Sequence, residues 1–414
     1  MPQFTLNMFQ TAGLAMVLFV IGRYLTEHID FLKKCCVPAP VVGGLLFAIL
    51  HLILNITGVV TLSFDSTVKD FFMTIFFTSV GYTACFRLLK KGGKKVLSFL
   101  LIAIVIVCLQ DVLGAVLAGV FGWDLRLGLC TGSIPMVGGH GTAGSYGPML
   151  ENELGIAGAE ALAIAAATFG LVAGSLMGGP TARSIINKHN LSSTESESEI
   201  MELSDESPEE KAKAERVDAE AFTNAAVLLI IAAGLGTVLT FYLNKIQFTI
   251  GGTVFKLTFP TYIGAMLVAA VIRNVADAKH KVLPSTAIDL WGNVSLTIFL
   301  AIALMSMKLM DLAALAGPMI VMLAAQVILM FFFARFVVFN VMGRDYEAAV
   351  MTAAFCGFGM GATPNAMANM QVITKRFGPA PQAYFVVPLV GSLFIDFFNG
   401  IILTGFVNIL PMFG

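Results

Sequence analysis

Charge is scarce in this sequence. Asp, Glu, Lys and Arg together make up 12% of the 414 residues, which is about half the share usual in soluble domains. The formal net charge of -1 conceals an uneven distribution, because eleven of the 26 acidic residues lie between Glu195 and Glu220. Without that segment the chain is basic. This composition predicts a polytopic membrane protein that contacts membrane lipid and has no nucleic-acid partner.

Cysteine is also scarce, and its spacing does not match the usual metal sites. The six cysteines stand at positions 35, 36, 85, 108, 130 and 356, without a paired C-x-x-C spacing. We interpret them as small apolar residues and not as disulfides or metal ligands. A short apolar stretch followed by a small-residue cleavage site is missing before the first long apolar run. We therefore expect the first helix to act as its own insertion signal.

Long apolar runs dominate the rest of the chain, and hydrophobic residues make up 57% of it. A membrane-spanning helix needs about 20 apolar residues. Ten segments meet this requirement, at about 6–25, 39–56, 70–88, 96–120, 157–180, 222–243, 259–275, 287–307, 313–341 and 382–411. We predict an all-α polytopic membrane protein with ten transmembrane helices.

Two glycine-rich runs interrupt this pattern. Pro135–Tyr146 lies between the fourth and fifth predicted spans, and Cys356–Met370 lies between the ninth and tenth. Lipid-exposed backbone must satisfy its own hydrogen bonds, so broken sequence at membrane depth survives only when it packs in protein or lines a wet cavity. Each run is too broken for a straight span and too apolar for an ordinary surface loop. We predict two re-entrant hairpins, at about 127–148 and 349–371.

The second run also contains a helix-start signal. Thr363 suits an N-cap, and Pro364 suits the first helical position, because proline lacks the N–H that would be unsatisfied there. The free N–H groups and positive dipole end of this helix would face the glycine turn. Such a terminus favours an anion, for example a carboxylate.

The two halves of the chain resemble each other at a nearly constant offset. Three motifs recur in chain order, 220, 218 and 217 residues apart: Pro40–Gly44 with Pro260–Gly264, Gly139–Gly141 with Gly357–Gly359, and Gly174–Leu176 with Gly391–Leu393. Gly139 also aligns with Gly359. Each half has five predicted spans and one hairpin, and an odd number of spans inverts the second half. Inverted repeats with interrupted helices are common in secondary transporters.

The predicted domain limits follow from this repeat. The N-terminal repeat covers 1–184 and the C-terminal repeat covers 221–414. Between them, the acidic and polar segment 185–220 is predicted to be a disordered or loosely helical cytoplasmic linker. When the basic cluster Arg87–Lys95 is placed in the cytoplasm, 20 of the 25 lysines and arginines fall on that side, as membrane proteins prefer. Both termini are then external, and the two hairpins enter from opposite sides.

The motifs at the two loops and beside them are Gly138-Gly-His-Gly-Thr142, Thr168-Phe-Gly-Leu-Val172, Gly292-Asn-Val-Ser295, Cys356-Gly-Phe-Gly-Met-Gly-Ala-Thr-Pro364 and Ala368-Asn-Met-Gln371. In these motifs, and over nearly its whole length, the sequence resembles the bacterial sodium/glutamate symporter family. The resemblance implies sodium-coupled transport of L-glutamate across the inner membrane, Na⁺ as the coupling ion, no organic cofactor, a homodimer and elevator-like movement. The chain has Val137 where the family often has serine, and Asn365 where threonine is also found.

The candidates for substrate binding are Gly139, His140, Gly141, Thr142, Gly359, Gly361, Thr363 and Asn365. Glycines spaced two apart suit no helix face. We therefore favour a turn that a ligand approaches over close helix packing, which glycine also favours in membranes. For His140 a structural hydrogen bond is as well supported as a ligand contact. The threonine and asparagine side chains would cap half-helices or offer oxygen to a ligand.

The candidates for sodium binding are Asp396, Asn399, Asn369, Asn293 and Ser295. Hard cations prefer oxygen ligands. Asp396 lies in the last predicted span, where an ionisable side chain is energetically unfavourable and indicates function; the alternative is a structural hydrogen bond. Asn399 follows three residues later, on nearly the same helix face. A second intramembrane carboxylate, Asp111, lies outside the family motifs.

Other functions compete with glutamate transport. A sodium symporter for a di- or tricarboxylate such as citrate or malate is the nearest alternative, because helix N-termini recognise carboxylate and not the amino group. An intramembrane protease using Ser145 and His140 would need a hydrogen-bonded base, and the five-residue separation neither provides nor forbids one. A passive channel would need a ring of charges or a repeated filter. We predict a transporter and not an enzyme.

Overall fold

The computed structural model describes residues 3–30, 32, 37–85, 93–193, 218–250, 253–256, 259–307 and 309–413. In the first half the helices are α1 (Met8–His28), α2 (Ala39–Ile56), α3 (Thr67–Thr83), α4 (Gly93–Val120), α5 (Ser133–Met136), α6 (Gly139–Pro148) and α7 (Ala159–His189). A 3₁₀ segment, Leu125–Thr131, precedes α5, and a π-helical segment, Met149–Glu153, follows α6.

In the second half the helices are α8 (Ala219–Leu243), α9 (Thr261–Ala278), α10 (Ser285–Met305), α11 (Leu309–Phe333), α12 (Phe339–Met342), α13 (Tyr346–Phe358), α14 (Thr363–Phe377), α15 (Pro381–Leu393) and α16 (Ile395–Ile409). A π-helical segment, Ala334–Val338, joins α11 to α12, and a 3₁₀ turn, Leu410–Met412, follows α16. Most of the predicted linker, at 194–217, lies outside the described residues. Helix α7 continues to His189, which is five residues into the range predicted for that linker.

Polar side chains at the helix starts explain several of these boundaries. Asn7 caps α1 in a capping box, because its Oδ1 accepts from the Phe9 and Gln10 N–H groups at 3.0 Å. Asp218 and Asp345 accept from N–H groups of the first turn of α8 and α13, both at 2.7 Å. Each cap satisfies a donor that has no partner inside its helix. Helix starts are therefore fixed by short local patterns.

Four short strands correct the all-α prediction. β1 (Gln3–Leu6) pairs in parallel with β2 (Thr61–Phe64), and β3 (Gln247–Ile250) pairs antiparallel with β4 (Thr253–Lys256). β1 precedes α1, β2 lies between α2 and α3, and β3 and β4 lie between α8 and α9. Their β-branched and aromatic residues favour extended structure, but four residues form too weak a pattern to be separated from the neighbouring apolar runs.

Nine helical segments within the described residues are long and apolar enough to cross a membrane. The chain is thus a helical polytopic membrane protein. The third predicted span, 70–88, corresponds to α3, whose 17 residues leave it outside this set; positions 86–88 lie outside the described residues. The tenth predicted span is wrong as one straight helix, because it is interrupted at Phe394, where the backbone leaves the helical region (φ -121°). Only α16 with its 3₁₀ turn remains as a candidate span there.

The helices pack in two groups. In one, α1 packs on α2 and α10, while α8 packs on α9 and α3, and α3 packs on α10. The other group consists of α4 to α7 and α11 to α16, and it contains both interrupted segments. Phe99 of α4 packs edge to face against Phe355 and Phe358 of α13 in the largest core of this second group. The second group therefore positions the site.

Helices α13 and α14 form an antiparallel hairpin, here called the second hairpin. Its arms touch near the turn, since a Cβ atom added to Gly357 would lie 2.5 Å from the Ala366 nitrogen. Its open end is closed by the Tyr346 hydroxyl, which donates to the Gly378 carbonyl at 2.6 Å. The tip of this hairpin is Gly359–Ala362.

Residues 125–153 form the first hairpin. Its first arm runs back along α4, where Gly128 touches Gly114. Its second arm, α6, runs back along α7, so that an added Cβ at Gly147 would lie 2.8 Å from Glu160 Cα. The tip is at Gly138–Gly139, where α6 begins. The first hairpin opens towards the start of α7.

The second hairpin opens towards the other end of α7. An added Cβ at Gly378 would lie 2.8 Å from Ser193 Cβ, just beyond the end of α7. The same end of the molecule carries Lys95, at the start of α4, which lies 3.9 Å from the Asp345 carboxylate. The two hairpins therefore enter the bundle from opposite ends and direct their tips towards each other.

Candidate functional site

The two tips are in contact. Gly139 adopts a left-handed backbone (φ +57°), and an added Cβ there would lie 2.8 Å from the Gly361 carbonyl oxygen. Both helices that leave the tips, α6 and α14, start at this contact without a side-chain cap. No side chain neutralises either helix start, so two positive helix ends converge.

A short stretch of α7 passes beside both tips. Thr168 Oγ1 lies 3.0 Å from His140 Nε2 on the first tip. Gly170 touches the Met360 carbonyl on the second tip, which leaves no space for a Cβ atom. The next carbonyl, of Leu171, accepts from Asn365 Nδ2 at 2.9 Å. Helix α7 thus fixes the position of one tip relative to the other.

The hydrogen bonds of His140 favour one tautomer of its ring. Thr168 Oγ1 lies 3.1 Å from the Ile164 carbonyl, to which it donates, and 3.0 Å from His140 Nε2. With its one proton on that carbonyl, Thr168 accepts from Nε2–H, and Nδ1 of the neutral imidazole is then the acceptor. No hydrogen bond of Nδ1 occurs within the described residues. His140 is therefore both structurally anchored and able to accept one further bond.

The second tip is tightly packed. An added Cβ at Gly359 would lie 2.6 Å from Met330 Cε, and one at Gly361 would lie 2.8 Å from Asn365 Nδ2. The Gly359 carbonyl accepts from Gln110 Nε2 of α4 at 2.8 Å. Asn365 is fully buried, and its Oδ1 has no partner among the described residues. The glycines serve close packing as well as the turn.

The prediction that Thr363 caps the helix is wrong, although the helix starts where expected. Ala362 occupies the cap position, and Thr363 is the first helical residue. The Thr363 hydroxyl donates instead to the Gly391 carbonyl of α15 at 2.8 Å. This side chain ties the tip to a neighbouring helix and does not cap α14. Pro364 has no N–H and the Asn365 N–H donates to the Ala362 carbonyl at 3.0 Å, so Thr363 contributes the free N–H of the first three helical positions.

The other substrate candidates lie on the first turn of α6. Thr142 is buried, and its N–H donates to the Gly138 carbonyl at 3.2 Å. Gly141 is partly exposed and faces the first group of helices, where an added Cβ would lie 3.2 Å from Phe76 Cε1. All eight substrate candidates therefore lie on the two tips or in the first turns of α6 and α14.

The sodium candidates are not gathered in one place. Asn399, fully buried on α16, has its Oδ1 2.7 Å from Ser133 Oγ of the first hairpin. Asn369 Nδ2 donates to the Gly174 and Ala353 carbonyls, at 3.0 and 3.1 Å. Asp396 lies in the first turn of α16, and its side chain is partly exposed.

The remaining two sodium candidates lie on α10, in the first group of helices. Ser295 is fully buried and its Oγ has no partner among the described residues. Asn293 is exposed. Only the buried member of this pair is enclosed by protein.

Sequence reasoning missed part of this arrangement. Thr168 lies in a family motif, and that motif was its only signal. Ser133 and Gln110 lie outside all the motifs. The structure nevertheless places Ser133 against Asp111, whose Oδ2 it contacts at 2.9 Å. Such contacts join distant parts of the chain and have no local signature.

One charged pair, Asp124 with Arg126, lies at the outer end of the first hairpin. The Asp124 carboxylate accepts from Arg126 Nε at 3.0 Å and from the Arg126 backbone N–H at 2.9 Å. The hydrogen bonds from the Arg126 side chain hold the pKa of Asp124 below its usual value, because they stabilise the ionised form. This pair marks the polar end of the hairpin.

Ser145 and His140 do not form a catalytic pair. The Ser145 hydroxyl donates to the Thr142 carbonyl at 2.9 Å, whereas the His140 ring is bonded to Thr168. A nucleophile would need its base within hydrogen-bond distance. These bonds give no support to the protease alternative.

Interrupted helices that meet end to end inside a bundle of membrane-length helices are typical of secondary transporters. The profile of the sodium/glutamate symporter family matches residues 4–379. The sodium/glutamate symporter of Haemophilus influenzae is 37% identical over 413 residues, covering 98% of this chain and 99% of the relative. That of Escherichia coli K12 is also 37% identical over 413 residues, covering 99% of both chains.

The chain belongs to the sodium/glutamate symporter family. The predicted family resemblance is thereby confirmed, and the family is one of transporters and not of enzymes. Among solved structures, the chain is similar to a sodium proton antiporter from Methanocaldococcus jannaschii, with a TM-score of 0.41 and 15% identity over 98% of this chain and 99% of that chain.

Proposed function

We propose that this protein takes up L-glutamate by sodium-coupled secondary transport across the bacterial inner membrane, with alternating access and elevator-like movement. The observation that carries the proposal is the meeting of two hairpin tips from opposite ends of the bundle, in a chain of the sodium/glutamate symporter family. Na⁺ is the coupling ion, and no organic cofactor takes part.

The proposed architecture has ten transmembrane helices in two inverted repeats, 1–184 and 221–414, with the linker 185–220 between them. Each repeat contains one re-entrant hairpin. The packing of the two halves supports this arrangement. The first long helix of each repeat packs on the second helix of its own repeat and on the third helix of the other repeat. Thus α1 packs on α2 and α10, and α8 packs on α9 and α3. The opposite entry of the two hairpins is what an inverted repeat would produce.

The proposed substrate site lies at the contact of the two tips. The N-termini of α6 and α14 would hold the two carboxylates of glutamate, since free N–H groups and the helix dipole both favour an anion. Nδ1 of His140 would accept from the substrate ammonium group, as would Oδ1 of Asn365. The site is formed by Gly139, His140, Gly141, Thr142, Gly359, Gly361, Thr363 and Asn365.

Charge determines how many cations are needed. Glutamate carries net -1 at neutral pH, so its entry into a negative interior is opposed by about 2.3 kcal/mol per 100 mV. One sodium ion would cancel this charge, and at least two cations per glutamate are needed if the potential itself drives accumulation. We propose that the oxygens of Asp396, Asn399, Asn369, Asn293 and Ser295 contribute to sodium binding.

The elevator-like movement would displace the second group of helices, with both hairpins, against the first group. The packing in two groups supports this division. We further propose a homodimer and a membrane orientation with both termini external. The orientation rests on the basic residues, of which 20 of 25 then face the cytoplasm.

The test is uptake of radiolabelled L-glutamate into proteoliposomes that contain the purified protein, with an inward sodium gradient and an imposed potential. A matched potassium gradient is the control. We expect accumulation only with sodium, and faster accumulation when the interior is negative. Unchanged uptake without sodium would contradict the coupling. Sodium-driven uptake of citrate or malate, without glutamate uptake, would show that the protein is instead a symporter for di- or tricarboxylates.

A further inference from the structure

Asp111 is a fully buried carboxylate within the candidate span formed by α4, nine residues before its end at Val120. Its Oδ1 accepts from the Ser133 N–H at 2.8 Å, and its Oδ2 contacts Ser133 Oγ at 2.9 Å. Among the described residues no lysine, arginine or histidine forms an ion pair with it. An ionisable group at membrane depth without a counter-charge indicates a function.

Two acceptor oxygens lie within hydrogen-bond distance of the Ser133 hydroxyl, which has one proton to donate. Its Oγ lies 2.9 Å from Asp111 Oδ2 and 2.7 Å from Asn399 Oδ1. A hydroxyl carries one proton and donates to one acceptor. With an ionised Asp111, one of these two oxygen–oxygen contacts therefore lacks a hydrogen.

The orientation of the Asn399 amide is supported by a second contact. Its Nδ2 donates to the Ser133 carbonyl at 3.4 Å, and the opposite orientation would place the amide oxygen against that carbonyl. In the orientation present, and with Asp111 ionised, the side-chain oxygens of Asp111, Ser133 and Asn399 share one hydrogen and carry a net negative charge.

We propose that Asp111, Ser133 and Asn399 form a buried binding site for one sodium ion, which extends the proposed function by adding a site for the coupling ion. A carboxylate, a hydroxyl and an amide oxygen are the ligands that a hard cation prefers. The ion supplies the missing positive charge and neutralises Asp111. Burial of all three side chains, each 0% exposed, keeps bulk water from hydrating the carboxylate.

The site connects three parts of the molecule. Asp111 lies on α4, Ser133 begins the inner part of the first hairpin, and Asn399 lies on α16. The neighbouring Gln110 donates from Nε2 to the Gly359 carbonyl at the second tip. One turn of α4 therefore contacts both hairpins, so sodium bound at Asp111 fixes the first hairpin next to the substrate site.

The site is tested without substrate by thermal unfolding of the purified protein in detergent. NaCl is compared with choline chloride at equal ionic strength, because a ligand that binds only the folded state raises Tm. We expect sodium to raise the Tm of the natural protein and of Asp70→Asn, whose carboxylate is half exposed on α3. In Asp111→Asn the rise is smaller, because one sodium site is lost while the other proposed sodium ligands remain. An unchanged rise in Asp111→Asn overturns the proposal.

Reconstituted protein gives a second readout that does not depend on the first. We expect Asp111→Asn to carry one positive charge fewer per glutamate than the natural protein. Ser133→Ala and Asn399→Ala, which keep the carboxylate, raise the sodium concentration for half-maximal uptake by about tenfold, the effect of losing roughly one good ligand contact. If Asp111→Asn does not fold, unchanged sodium dependence in both of these variants overturns the site.

The outcomes of these experiments distinguish a failure of this sodium site from a failure of the proposed function. If sodium stabilises the protein through Asp111 but the protein transports no glutamate, the sodium site is supported and glutamate is excluded as the substrate. If Asp111→Asn takes up glutamate with normal sodium dependence, the proposed function is supported and the sodium site at Asp111 is contradicted. A proton on Asp111 would also supply the missing hydrogen. If the Tm depends on pH and does not depend on the sodium concentration, the assignment of sodium to this site is overturned.

Discussion

Gly139 and Gly361 join the two hairpins at their tips. A Cβ atom at Gly139 would lie 2.8 Å from the Gly361 carbonyl oxygen, and Gly139 itself has a φ of +57°. The close carbonyl leaves no space for a side chain at this position, and the left-handed backbone disfavours one. The contact is between backbones, so the two tips approach each other more closely than any pair of side chains would allow.

We predict that Gly139→Ala abolishes glutamate uptake while the protein still inserts and purifies. The left-handed backbone costs a residue with a Cβ roughly 1–2 kcal/mol, and the methyl group also pushes the tips apart. Gly155→Ala is the matched control, because Gly155 has a φ of +71° but no atom within 4 Å of the added Cβ. Equal uptake by the two variants would contradict the tip contact.

Gly170 of α7 leads to a prediction about folding. Its missing side chain lets the Met360 carbonyl lie against α7, so Gly170→Ala forces the second tip away. We expect a lower Tm in detergent and reduced uptake. Gly234→Ala of α8, where nothing lies within 4 Å, is expected to be neutral or to stabilise the helix by up to about 1 kcal/mol.

The open end of the second hairpin depends on one hydroxyl. Tyr346→Phe removes the 2.6 Å bond to the Gly378 carbonyl and leaves the ring in place. We expect a loss of about 1 kcal/mol, the usual net value of one hydrogen bond, seen as a lower Tm and faster proteolysis near 378. Unchanged protease sensitivity would show that other contacts hold the arms together.

His140 provides a prediction about substrate choice. Gln at this position can imitate Nε2 and keep the bond to Thr168, but it offers no acceptor in place of Nδ1. We expect His140→Gln to raise KM for L-glutamate about tenfold, the effect of roughly 1.4 kcal/mol, and to leave inhibition by the deaminated analogue glutarate unchanged. Equal weakening for both compounds would assign His140 a structural role alone.

Ser145 is expected to be dispensable for chemistry. Its hydroxyl donates to the Thr142 carbonyl within the same helix, so Ser145→Ala removes one local bond. We predict retained sodium-driven uptake, and no peptide cleavage by either protein. Cleavage of a membrane-embedded peptide by the natural protein, lost in the variant, would revive the protease alternative.

Local sequence was sufficient to predict several parts of the site. The glycine-rich runs located both tips, and Pro364 located the start of α14 to within one residue. These features depend on backbone propensities that act over a few residues. The cap at Thr363 was predicted wrongly because its hydroxyl has a partner, Gly391, that lies 28 residues further along the chain.

The sequence by itself determined the membrane class, the apolar helices and the two broken segments, because apolar length and backbone propensity are properties of short stretches. Only the tertiary structure brought Asp111, Ser133 and Asn399 together, across separations of 22 and 266 residues. It also placed Asn293 on an exposed surface. The reason is physical: which side chains meet in a buried space depends on how the helices pack, and packing is decided by contacts between distant parts of the chain.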